Sequence, residues 1–128
     1  MRILVVEDDS VGRKVLRLFL QPYGTVLTAS RADDGIGAFY AAYHERDPFQ
    51  LVFLDIGLPD RDGIEVLAEL RQFEKAMHYN SPTHVIMLTG DSSAANMNQS
   101  RNLGALKYLL KPVIESELLD QLQSIGLI

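Results

Sequence analysis

Three segments of this chain are apolar without interruption: Ile3-Leu4-Val5-Val6, Leu51-Val52-Phe53-Leu54 and Val85-Ile86-Met87-Leu88. A strand with one wet face alternates apolar and polar residues, so runs of this kind require a sheet covered on both sides. Two further runs, Thr25-Val26-Leu27-Thr28-Ala29 and 106–110, read as a weaker second strand and a fifth strand. Between the runs the spacing turns helical. Val11, Val15, Leu18 and Phe19 mark a first helix, stopped by Pro22 and Gly24. A second spans 32–45 and ends before Asp47-Pro48; Ile64, Leu67, Ala68 and 70–73 mark a third. The stretch 92–103 is polar and only weakly amphipathic, and Val113, Ile114, Leu118, Leu119, Leu122 and Ile125 mark a last helix. Five strands alternating with five helices predict an α/β fold with a five-stranded parallel sheet, doubly wound as (βα)5.

Length fits that architecture. The 128 residues suffice for one domain with one sheet, and the expectation is a single domain over 1–128 with no output domain. The formal net charge of −5 argues against nucleic acid as a direct partner. The chain has no cysteine, which removes disulfides, thiolate metal sites and a thiol nucleophile. No apolar stretch approaches the ~20 residues of a membrane span, and four apolar residues after Arg2 are too few for a signal-peptide core. A cytoplasmic protein without membrane attachment is expected.

In an open α/β sheet, ligands gather outside the carboxyl ends of the strands. Here those ends carry Glu7-Asp8-Asp9, Asp55, Thr89-Gly90-Asp91 and Lys111-Pro112. Each residue alone has a plainer role. Asp8 or Asp9 could cap the first helix, Asp55 could form a turn, and Thr89 could satisfy local backbone. Lys111 could be a surface lysine and Tyr108 a rim aromatic. Their coincidence at four strand ends favours one site. Clustered carboxylates repel unless a cation intervenes, and oxygen ligands in small number suit Mg²⁺, with Mn²⁺ as the alternative. Glu7, Asp8 and Asp55 bring three negative charges and Lys111 one positive, leaving a sum that a divalent cation cancels. Such a site can receive a phosphoryl group: cation and Lys111 on its oxygens, Thr89 on another, Asp55 as nucleophile. His44, His78 and His84 show no ligand spacing, and Asp60 and Asp62 read as turn residues, with Gly63 relieving strain before the third helix.

Four motifs in order carry a resemblance: Val5-Val6-Glu7-Asp8-Asp9; Leu54-Asp55-Ile56-Gly57-Leu58-Pro59-Asp60-Arg61-Asp62-Gly63; Met87-Leu88-Thr89-Gly90; and Gly104-Ala105 through Tyr108 to Lys111-Pro112. With these the chain resembles a response-regulator receiver domain of the single-domain CheY-like type, over essentially its whole length. The resemblance implies the flavodoxin-like strand order 2-1-3-4-5. It implies Asp55 as phosphoacceptor, Glu7 and Asp8 as the acidic pair with Asp8 the more direct metal ligand, and the Gly57 backbone carbonyl as a further ligand. Lys111 is then the phosphoryl partner, joined to Pro112 by a cis bond, with Thr89 and Tyr108 as switch residues. Gly57 and Asp91 fall at positions that tune phosphate lifetime; a glycine at 57 can neither orient nor block a water. The implied partners are a histidine kinase or histidine phosphotransfer protein and an unidentified effector that reads the surface near Tyr108 and the last helix. The protein is expected to be a monomer or a weak phosphorylation-dependent dimer. It would not be an enzyme in the turnover sense, only self-phosphorylating and self-dephosphorylating. A small Mg²⁺-dependent phosphatase with an Asp nucleophile is the alternative, although Gly57 stands where a second acidic residue would act. Flavin binding on the same fold is opposed by the acidic strand ends.

Overall fold

The computed structural model describes residues 1–78, 81–90 and 107–128. Five parallel strands form one sheet in the order β2-β1-β3-β4-β5, where β1 is Arg2–Val6, β2 Thr25–Ala29, β3 Leu51–Asp55, β4 His84–Thr89 and β5 Lys107–Leu110. Both the parallel sheet and its order match expectation. The three uninterrupted runs occupy the three inner strands, where both faces are covered. β2 lies at an edge, and its outer positions Thr25 and Leu27 are exposed, which explains its weaker apolar signal.

Four helices are present among the described residues: α1 (Ser10–Leu20), α2 (Ala32–His44), α3 (Gly63–Ala76) and α4 (Glu115–Ser124). The helix expected over 92–103 lies outside the described residues, as does Asp91. Pro22 ends α1 by converting its continuation into a 3₁₀ turn, Gln21–Tyr23. Val113 and Ile114 do not belong to the last helix as expected. Ile114 has extended backbone at the cap position, and the helix begins at Glu115.

Strand alternation divides the interior into two cores. Leu4, Val6, Val52, Leu54, Val85 and Met87 face α2 and α3, meeting Ile36, Phe39, Leu67 and Leu70. Ile3, Val5, Phe53, Ile86, Leu88 and Leu109 face α1 and α4, meeting Leu16, Leu20, Leu118 and Leu122. One acid is buried far from the strand exits. Glu74, 3% exposed, accepts from the Thr83 amide at 2.7 Å and from Arg71 at 2.7 Å, and so ties the end of α3 to the approach to β4.

Register brings the strand exits level. Val6 lies beside Leu54, Asp55 beside Leu88 and Thr89 beside Leu110. The residues that follow or close these strands therefore share one edge of the sheet. Gly63 holds α3 against that edge. A Cβ at this position would stand 2.1 Å from the Asp55 carbonyl oxygen, so the glycine serves close backbone approach rather than relief of strain.

Candidate functional site

The site is assembled from the exits of β1, β3, β4 and β5. Glu7 follows β1 and is 3% exposed; Asp55 closes β3 and is 2% exposed. Neither could be buried as a bare charge without a partner. Lys111, just past β5, supplies it. Its ammonium nitrogen lies 2.7 Å from Asp55 Oδ2 and 3.0 Å from Glu7 Oε1. The stem of Lys111 is placed by its own amide, which donates to the Thr89 carbonyl at 2.9 Å, and the Lys111–Pro112 bond is cis.

Asp8 stands beside this triad but is exposed. One carboxylate oxygen from each of Glu7, Asp8 and Asp55 lies within 4.8 Å of the others, a spacing that can hold a metal ion. The donor set is all oxygen and one member opens to solvent. Both features fit a hard cation that keeps part of its water shell. Asp9 caps α1, accepting from the Gly12 amide at 3.1 Å, which leaves Asp8 as the acid of the pair directed to the site.

The electrostatics divide the two buried carboxyls. Burial, followed by the hydrogen bond to Asp55, pushes the Glu7 carboxyl up to about 8, and Lys111 only partly opposes this. Burial also opposes charge on Asp55, but hydrogen bonds from Glu7, Lys111 and the Gly57 amide outweigh it and hold Asp55 below the usual carboxylate range. The Lys111 ammonium is disfavoured by burial, yet its bonds to Asp55 and Glu7 raise it above the ordinary lysine value. At neutral pH the metal-free triad is thus an ionised Asp55, a protonated Glu7 and a charged Lys111. The charge sum taken from sequence counted Glu7 as ionised, and binding a cation there would release that proton.

The remaining residues expected at the site are near it in different ways. Gly57 donates its amide to Asp55 Oδ1 at 3.0 Å, and a Cβ there would meet only that oxygen, at 3.9 Å. Thr89 is buried at the end of β4. Tyr108, half-buried on β5 beside Met87, packs against the core on the α2–α3 side, and strand alternation puts Thr89 on that same face.

Three residues at this edge have roles that the sequence reading missed. Arg13 reaches back from α1 and donates to the carbonyls of Glu7 and Asp8, at 2.9 and 2.8 Å, bracing the turn that carries both acids. An arginine one helical turn past a row of three acids was the available signal. Asp60 was read as a turn former, whereas its carboxylate caps α2, accepting from the amides of Ala32 and Asp33 at 2.9 and 3.2 Å. Asp62 caps α3 through the Ile64 amide at 2.9 Å.

Known proteins share this arrangement of chain. The family model described as "Response regulator receiver domain" matches residues 3–123. The transcriptional regulatory protein AruR of Pseudomonas aeruginosa is 32% identical over 97% of this chain, which spans 48% of that regulator, about half its length. The chemotaxis protein CheY of Halobacterium salinarum is 31% identical, over 97% of this chain and 95% of that one. Among solved structures, the receiver domain of Ssk1 in co-crystals with the histidine phosphotransfer signaling protein Ypd1, from Saccharomyces cerevisiae, superposes with a TM-score of 0.84. It is 25% identical, over 98% of this chain and 88% of that one.

Proposed function

Because the chain belongs to the response regulator receiver domain family, we propose that it is the receiving partner in two-component phosphotransfer, with Asp55 as phosphoacceptor. The observation that carries this reading is the Lys111 ammonium held between Asp55 and Glu7 at the exits of three strands, with Asp8 alongside. Asp55, kept ionised by its neighbours, attacks phosphorus through a carboxylate oxygen. The new bond is a mixed anhydride between that oxygen and phosphorus. The bond broken joins phosphorus to the donor, a histidine nitrogen of a kinase or phosphotransfer protein, and the departing imidazole recovers a proton. Lys111 exchanges its contact with Asp55 for one with a phosphoryl oxygen, which keeps the developing negative charge paired.

Glu7, Asp8, Asp55 and the Gly57 carbonyl would hold Mg²⁺, which supplies neutralisation of the phosphoryl oxygens. Thr89 offers a hydroxyl to the phosphoryl group, and Tyr108 on the same face carries the change to the surface read by an effector. Gly57 leaves the approach of water open but unassisted, and so contributes to the lifetime of the phosphate. Asp91, outside the described residues, is proposed for the same role from sequence alone. Together these make a switch with no turnover beyond its own phosphorylation and dephosphorylation. The histidine phosphotransfer protein bound to the similar Ssk1 receiver supports a donor of that class. Among the described residues, no helix is long and apolar enough to cross a membrane.

The test is incubation with acetyl phosphate and Mg²⁺, or with beryllofluoride and Mg²⁺, alongside Asp55→Asn. One alkali-labile phosphate per chain, absent from Asp55→Asn, is expected. Sustained hydrolysis of a phosphomonoester would instead identify a phosphatase, and no response in the native chain would refute receiver activity.

A further inference from the structure

The loop between β3 and α3 contains a clamp that its own turn chemistry does not require. The N-cap position of α2 is Arg31, which makes no side-chain capping bond. A helix start leaves backbone amides without partners, and these are normally met by Ser, Thr, Asp or Asn at the cap itself. Here the amides of Ala32 and Asp33 are met by both oxygens of Asp60, 28 and 27 residues away in sequence. Ala32 is fully buried, so this end of α2 is anchored in the core. The adjacent Arg61 extends the connection, pairing with Asp33 of α2 at 3.7 Å and Glu69 of α3 at 3.3 Å.

The clamped loop is the one that carries Gly57. Its ends are closed by the bridge between Gly57 and Asp62 and by the bond from the Gly63 amide to the Ile56 carbonyl, at 2.9 Å. Leu58 plugs into the core on the α2–α3 side. Gly57 itself has no side chain to hold it, and its amide bond to Asp55 orients the 56–57 peptide, whereas its carbonyl belongs to the 57–58 peptide on the Asp60 side. A carbonyl ligand on a residue with no side chain to pack depends on its neighbours for its direction. Asp60 is the loop residue whose carboxylate reaches a separate, anchored element.

We propose that Asp60 is a positioning residue for the phosphoacceptor loop: by clamping residues 57–60 to the first turn of α2, it fixes the Gly57 peptide for cation binding. This rests on the receiver reading above. Coupling is reciprocal, so a cation at the site must in turn tighten the contact between Asp60 and α2. The first turn of α2 therefore reports the occupancy of a site to which it contributes no ligand.

The experiment measures Mg²⁺ affinity by calorimetric titration of the native chain, Asp60→Ala and Asp60→Asn. Amide hydrogen exchange at Ala32 and Asp33 is followed by NMR with and without Mg²⁺. Asp60→Ala is expected to weaken Mg²⁺ binding by roughly tenfold, the low end for loss of a residue that orients a metal ligand. Asp60→Asn, which keeps one acceptor oxygen, should recover part of the loss. Protection at Ala32 and Asp33 should rise with Mg²⁺ in the native chain, and that rise should vanish in Asp60→Ala. A cap with only a structural role would lower the melting temperature while leaving Mg²⁺ affinity unchanged and exchange at these amides insensitive to Mg²⁺, and that result overturns the proposal. The exchange measurement on the native chain stands even if Asp60→Ala fails to fold. Mg²⁺ binding in the native chain that is lost in Asp8→Asn while Asp60→Ala behaves as native would sink the clamp and leave the receiver reading intact. Failure of the native chain to bind Mg²⁺ would remove both.

Discussion

The Lys111 ammonium lies 2.7 Å from the Asp55 carboxylate, although the two stand 56 positions apart in the chain. The pair exists only once β3 and β5 have both joined β4, so it tests the fold and the chemistry together.

Replacing Lys111 by Met leaves Asp55 and Glu7 without their cation. Breaking a fully buried pair costs about 3–5 kcal/mol, and the partial exposure of Lys111 brings the expected loss down to about 2 kcal/mol in the absence of metal. Mg²⁺ should raise the melting temperature of Lys111→Met more than that of the native chain, because a competing positive charge has gone. Phosphorylation by acetyl phosphate should slow by about 100-fold with the loss of a charge-stabilising donor. Equal melting curves with and without Mg²⁺ for the variant would contradict the arrangement.

Glu7 sets a pH dependence. Its carboxyl sits at about 8 in the folded chain against an ordinary value of 4.5, so between these values the folded state holds a proton that the unfolded state has lost. Its contribution to stability is complete below about pH 4.5 and is lost as pH rises through about 8. Thermal melts in EDTA should therefore decline from pH 6 to pH 9, and Glu7→Gln should flatten that decline. Titration with Mg²⁺ at pH 7 should release close to one proton per ion in the native chain and far less in Glu7→Gln.

Gly57→Asn probes phosphate lifetime. A Cβ at 57 meets only Asp55 Oδ1, at an ordinary 3.9 Å, so the backbone leaves room for a side chain to begin there. Mg²⁺ affinity should change by less than about twofold, since only the backbone of residue 57 is a proposed ligand. The decay of the aspartyl phosphate should change measurably, because an amide can now orient water beside it. Identical decay in the two proteins would show that residue 57 has no part in lifetime.

Glu74→Ala separates stability from chemistry. The change removes the acceptor of the Thr83 amide and a carboxylate of Arg71 in a buried setting, which should cost about 3 kcal/mol by chemical denaturation. Glu74 bonds to none of the described site residues, so under folding conditions phosphorylation should proceed at the native rate. A selective loss of phosphorylation at full stability would show that α3 communicates with the site by a route not described above.

Much of this was legible in the sequence because it was local. Short apolar runs that include β-branched residues and are closed by turn residues, as at 3–6 and 51–54, read as inner strands of a covered sheet, and the polar residues just beyond the strands then fall at one edge. Asp55, Glu7, Asp8 and Lys111 follow from that reasoning. What escaped was decided across space. Asp60 looks like any turn aspartate until α2 is folded beside it. Glu74 looks like one more charge on a helix until the segment before β4 covers it. The role of Gly63 depends on the Asp55 carbonyl, eight residues earlier, and no periodicity encodes that approach. Arg13 lay within reach, since one helical turn is all that separates it from Asp8 and Asp9.

The Gly63 contact also makes α3 a lever. With backbone atoms of Asp55 and Ile56 against its first residue, the helix has a fulcrum at the end of β3 and no slack there. Its 14 residues extend about 21 Å from that point. A tilt of about 5° at the fulcrum would carry the far end roughly 2 Å by that same length. An adjustment around Asp55 would therefore load the bonds of Glu74 to Thr83 and Arg71, which tie down the far end of that lever.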